Sequence, residues 1–277
     1  MHADTLPVLP LEAAIGTEST RFDAVTRCGT MSLQLESPAA HAADAALLLD
    51  RCDALLDALD AWLHAALDWR WVEAAGADEA APSRASAQAT VAAGAGADAV
   101  PLIGRIELPW ALLRTLGHPP QALAGQLQWN PVPAVLVVSR PAIDDAELRL
   151  LERGGAVVLP ESMGSPWHAC LHAAHEDAGQ GVPAELASSA SATLVAPTDA
   201  VGPAAQGPGR PCCEVRLTTT RPLTPGQLAG WAAGATIELA PRASLWRCAG
   251  PSEAERYLAG GRLIPWGDGW AMLIESV

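Results

Sequence analysis

Lysine is absent from this chain. All 17 basic residues are arginine, set against 31 Asp and Glu, and the formal net charge is -14 at pH 7. Such a surface repels a polyanion, which argues against non-specific nucleic-acid binding, since that depends on neutralising phosphates with basic side chains. Docking on an anionic membrane through a basic patch fails for the same reason. Aromatic residues other than tryptophan are nearly missing, with one Phe and one Tyr beside ten Trp. The six cysteines (Cys28, Cys52, Cys170, Cys212, Cys213, Cys248) show no C-x-x-C spacing, and adjacent Cys212 and Cys213 chelate a single metal poorly. They read as reduced thiols of a cytosolic protein. Long apolar runs are lacking too. The most apolar stretch, Ala45 to Val72, is interrupted by Asp50, Arg51, Asp53, Asp57, Asp60, Asp68 and Arg70, short of the ~18 uncharged residues of a spanning helix. The opening MHADTLPVLP has neither the basic nor the apolar region of a signal peptide.

What the chain does have is alanine. Half of its 277 residues are hydrophobic, with Ala the most frequent of them, and the length suits one to three domains at roughly 150 residues each. Two Ala/Gly/Ser-rich stretches, Ala74 to Ala99 and Ala178 to Pro211, lack periodic large apolar residues and read as linkers or mobile loops. Before the first, MSLQLES alternates at strand period. Ser37-Pro38 then gives a helix start, with Leu48, Cys52, Leu55, Leu59, Trp62 and Leu63 on one face. Asp50, Asp53, Asp57 and Asp60 line the other face, as a solvated surface or an acidic strip for a basic partner.

The most informative feature is an internal repeat. Shifting the chain by 80 residues lays VLVVSRPAIDDAELRLLERGGAVVLPES, from Val135, over VRLTTTRPLTPGQLAGWAAGATIELAPRAS, from Val215. Ile143 then meets Leu223, Leu148 meets Leu228, Leu151 meets Trp231, Gly154 meets Gly234, Val157 meets Ile237 and Leu159 meets Leu239. Each copy reads as a strand ending at Arg-Pro, then a short helix opened by a capping box, Asp144 with Glu147 or Thr224 with Gln227. Gly154 or Gly234 closes the helix and a further strand follows. The second copy goes on to GGRLIPWGDGWAMLIES, a hairpin turning at Gly267-Asp268-Gly269. A unit this small buries too little surface to stand alone, and two copies can cover each other.

LTPGQLAGWAAGATIEL and LAGGRLIPWGDGWAMLIES resemble the SpoA (surface presentation of antigens) module, and the tandem arrangement resembles the cytoplasmic ring proteins of type III secretion systems, the YscQ/HrcQ type, relatives of flagellar motor switch proteins. The resemblance spans roughly residues 135 to 277. It departs from the family at Gly261-Arg262-Leu263-Ile264, where a differently charged turn is usual, and in the first copy, whose Trp167–Asp177 run stands where the final hairpin belongs. What the resemblance implies is a non-enzymatic scaffold of the sorting platform without cofactors, cytoplasmic and peripheral to the inner-membrane export apparatus. Its implied partners are the stator-like regulator of the secretion ATPase, a ring adaptor and further copies of itself, with no nucleic acid and no membrane insertion. A flagellar switch component is the neighbouring alternative, although residues 1–134 match no middle domain of that kind.

The expected architecture is α+β. An N-terminal α/β domain covers 1–134, with a mobile loop near 74–99. A first SpoA-like module (135–177), a flexible linker (178–211) and a second SpoA-like module (212–277) follow, the two small β-rich modules pairing with each other. Leu223, Leu228, Trp231, Ile237, Leu239, Leu263, Ile264, Trp266, Trp270, Leu273 and Ile274 are the expected pairing core and partner surface, since Trp anchors are frequent in interfaces. An enzymatic alternative rests on WHACLHAAHEDAG. On a helix His168, His172 and His175 would share a face and, with Glu176, could hold zinc for a hydrolase. The run is not H-E-x-x-H, and read as strand and linker its histidines diverge. No G-x-S-x-G occurs, and the serines cluster in linker.

Overall fold

The computed structural model describes residues 19–72, 84–91, 101–174, 176, 181–196, 213–248 and 254–277. Among the described residues strands account for 49% and helix for 19%. It is a mostly antiparallel β protein, which corrects the expectation of an α/β domain followed by two SpoA-like modules.

The N-terminal half comprises β1 (Thr20–Thr26), β2 (Gly29–Leu35), α1 (Ala42–Asp50), α2 (Asp53–Leu63), β3 (Arg70–Val72), β4 (Arg84–Val91), β5 (Leu102–Pro109), the short α3 (Trp110–Leu113) and α4 (Gln121–Ala124), and β6 (Leu127–Trp129). Its six strands form one antiparallel sheet in the order β3-β1-β2-β5-β4-β6. Strand alternation builds it: Phe22 and Ala24 on β1 and Met31, Leu33 and Leu35 on β2 are buried. The β1–β2 turn ends at Gly29, whose φ of +120° suits glycine. The single helix expected from Ser37-Pro38 is two helices. The first begins at Ala42, and the chain bends at Arg51-Cys52 with the Cys52 side chain fully buried. Leu55, Leu59 and Trp62 on α2 then reach the core, while Asp50, Asp53 and Asp57 face solvent.

The second half runs β7 (Ala134–Ser139), α5 (Asp145–Leu148), β8 (Ala156–Leu159), a 3-10 turn (Pro160–Met163), β9 (Trp167–Ala173), β10 (Val182–Ser188), β11 (Ser191–Leu194), β12 (Cys213–Thr219), α6 (Pro225–Leu228), β13 (Thr236–Arg247), β14 (Arg256–Trp266) and β15 (Gly269–Ser276). Nine strands form one antiparallel sheet, β11-β10-β9-β7-β12-β13-β14-β15-β8, and β11 also pairs with β13. That pairing closes β11, β10, β9, β7, β12 and β13 into a six-stranded barrel. Leu136, Leu171, Val182 and Leu217 lie in register across it, all buried. A barrel this narrow is filled by side chains.

The duplicated unit is visible in the backbone. Asp144 accepts from the Ala146 and Glu147 amides while Glu147 reaches back to the Asp144 amide at 2.9 Å. Thr224 and Gln227 repeat the arrangement. Gly154 and Gly234 follow at φ +89° and +84°. The two copies interleave: β8 of the first pairs with β15, the last strand of the second, and β13 of the second pairs with β11, the last strand of the first. Neither copy closes its sheet alone, so they form one body rather than two modules packed side by side.

Two stretches read as low-complexity linker carry strands. Within 74–99 lies β4, where Ala85, Ala87 and Ala89 are buried at 0% exposure. Within 178–211 lie β10 and β11, with Val182, Ala184, Ala192 and Leu194 buried. Alanine at alternate positions fits where neighbouring elements approach closely, and tertiary packing supplies the stabilisation that Ala lacks by itself.

Candidate interaction surface

The residues expected to form the pairing core separate into three environments. Ile237 and Leu239 on β13, Leu263 on β14 and Ile274 on β15 are buried in the C-terminal body, with Ile264 and Leu273 half-buried beside them. Trp270 is half-buried and its ring stacks with Trp167 of the first copy, centroids 6.1 Å apart. Its backbone amide donates to Ser162 Oγ at 2.7 Å, another link between the copies. Trp266, at the mouth of the β14–β15 turn, is 51% exposed. Glycine is required within this hairpin, because a Cβ on Gly261 would lie 1.9 Å from the Leu273 carbonyl oxygen.

Leu223, Leu228 and Trp231 lie elsewhere, against the N-terminal half. Leu223 and Val132 exchange backbone hydrogen bonds of 2.9 Å in both directions. Leu228 is fully buried. Trp231 meets Trp62 and Trp129 edge-on, centroids 5.9 and 6.2 Å apart, and its indole N–H donates to the Leu116 carbonyl at 2.8 Å. His118 Nε2 hydrogen-bonds the Trp231 carbonyl at 3.0 Å. Edge-on aromatic pairs add to the burial itself, so this cluster is the anchor between the two halves.

The matching surface of the first copy is open. Between α5 and β8 runs a groove of about 580 Å³ with Ile143, Leu150, Leu151, Val157 and Val158 in its walls. Leu150 is 77% exposed and Val158 41%.

The histidine run forms β9, not a helix. His168, Cys170 and His172 alternate on the face opposite Leu171, and His175 lies outside the described residues. The chain at Gly181 crosses this face so closely that a Cβ there would sit 2.6 Å from Cys170 Sγ and His172 Cε1. His172 is 5% exposed, its Nε2 has no partner, and burial holds its pKa down to about 4, with Glu176 pulling the other way. Among the described residues no group of three or more His, Cys, Asp or Glu is placed to hold a metal ion.

Beside His172 stands an ionic cluster that sequence reasoning did not find. It borders a small polar cavity of about 20 Å³ lined by His172, Glu176, Glu214 and Arg216. Glu214 is 2% exposed and receives Arg140 Nε at 3.1 Å and Arg216 Nη2 at 2.6 Å. Burial alone would raise its carboxyl; the two guanidinium groups outweigh burial and hold it below the usual range. Arg216 also pairs with Glu255, and Arg114 of the N-terminal half pairs with Glu176, one contact being 2.6 Å. Glu161 binds the Ser139 hydroxyl and, at 3.0 Å, the Arg140 amide. The sequence signals were Arg140, which heads the Arg-Pro of the repeat, and Glu176, which stood out only as a candidate zinc ligand beside the histidine run.

Among the described residues no helix is long and apolar enough to cross a membrane. No family model matches the chain, and no curated protein or solved structure matches it.

Proposed function

We propose that this protein is a non-enzymatic structural scaffold, a subunit of the cytoplasmic ring of a type III protein secretion system, peripheral to the inner membrane. The observation that carries the reading is the interleaved duplication, in which β8 and β13 each complete a sheet belonging to the other copy. A body tied together this way holds its surfaces in fixed relation, which an assembly subunit requires. The local likeness of LTPGQLAGWAAGATIEL and LAGGRLIPWGDGWAMLIES to ring proteins supplies the particular system. On this reading the partners are the regulator of the secretion ATPase, a ring adaptor and further copies of the chain.

Affinity capture of the tagged full chain from its native cytosol tests the reading. Co-purification of the ATPase regulator and ring components is expected. Recovery of abundant bait with neither would overturn it.

A further inference from the structure

The rest of the chain treats corresponding surfaces of the two copies differently. In the second copy, Leu228 is fully buried and Trp231 is covered by Trp62 and Trp129. In the first, the corresponding Leu148 and Leu151 are only partly covered and neighbouring Leu150 is exposed. The single N-terminal half is already spent on one of two equivalent faces. The other face is the groove between α5 and β8.

One wall of that groove is a sheet edge. β8 pairs with β15 on one side and, among the described residues, with no strand on the other. Proteins blunt such edges with Lys, Pro or inward charges. Ala156-Val157-Val158-Leu159 has none of these.

We propose that the groove binds an extended segment of a partner protein, which adds a strand to β8 and seats alternate apolar side chains between β8 and α5. The open edge favours a strand over a helix as occupant, because main-chain hydrogen bonds to β8 supply affinity while alternating pockets select side chains. Charge identifies the segment further. The charged side chains lining the groove are Glu147 and Glu152, on a chain of net charge -14. A second copy would bring like charges together, whereas an apolar segment flanked by Arg or Lys is complementary. This deepens the scaffold reading, on which it rests, by naming a docking surface and the chemistry of its occupant.

The test uses the full chain and a labelled synthetic peptide in which Val and Thr alternate between terminal pairs of arginine. Saturable binding is expected by fluorescence anisotropy, with the β8 amides gaining protection from hydrogen exchange. Replacing the peptide arginines by glutamate, or N-methylating alternate amides, is expected to weaken binding about tenfold or more. Leu150→Asp and Glu152→Arg are expected to do the same without moving the urea midpoint, since both positions are exposed. Absence of saturable binding, or equal binding by Leu150→Asp, overturns the proposal. A concentration-dependent dimer dissolved by Val158→Asp also overturns it and assigns the groove to a second copy. Capture of secretion-ring partners undiminished in the groove variants removes the groove while leaving the scaffold reading intact.

Discussion

Trp231 meets Trp62 edge-on at 5.9 Å, and through that contact the second repeat holds the N-terminal half. The indole N–H bond to Leu116 and the Val132–Leu223 bridge lie alongside, so the junction combines aromatic packing with satisfied backbone groups.

Trp231→Ala removes the ring from both Trp62 and Trp129 and strands the Leu116 carbonyl. The expected loss is about 3 kcal/mol, in the range for large aromatic truncations. Urea unfolding followed by tryptophan fluorescence is expected to change from one transition to two as the halves uncouple. A single transition at the wild-type midpoint would show that the junction is not held there.

His172 gives stability a defined pH window. Its folded pKa is depressed to about 4 from 6.5 by burial. The unfolded chain therefore takes up a proton below 6.5 that the folded chain refuses until about 4. This contribution is complete above pH 6.5 and is lost as pH falls through that window, by about 3 kcal/mol in all. His172→Leu is expected to flatten the slope of unfolding free energy between these pH values. An unchanged slope would mean that His172 takes up its proton in the folded state.

Glu214→Gln leaves Arg140 and Arg216 without their shared carboxylate in a place with little water. Breaking a buried pair from one side costs about 3 kcal/mol, more than an exposed bridge contributes. The exposed Arg262–Glu275 pair is the control, and Glu275→Gln is expected to move the urea midpoint little. Equal effects of the two substitutions would contradict the burial of the cluster.

Legibility in the sequence followed the residue types that announce themselves. The capping boxes at Asp144 and Thr224 and the turns at Gly154 and Gly234 could be read because each demands a particular side chain or none. The strands β4, β10 and β11 could not, because Ala85, Ala87, Ala89 and Ala184 alternate without bulk and resemble linker. Reading 178–211 as a tether hid β10 and β11, without which the barrel cannot close, and so two modules were expected where one body exists. The ionic cluster was hidden for another reason. Arg114, Glu176, Glu214 and Arg140 are scattered along the chain: Arg140 meets Glu214 only once β7 pairs with β12, and Arg114 meets Glu176 only where the N-terminal half packs on the barrel. Helix length failed at Cys52, since apolar spacing continues across a bend that periodicity does not register.

Interleaving of the two repeats is tested most directly by purifying residues 213–277 alone and then mixing them with residues 132–196. Light scattering and circular dichroism are expected to find no folded monomer in the first sample, only unfolded chain or a self-paired dimer, and a folded one-to-one complex after mixing. A monodisperse, folded monomer of 213–277 whose spectrum and size ignore the added fragment would contradict the exchange of β8 and β15 between copies.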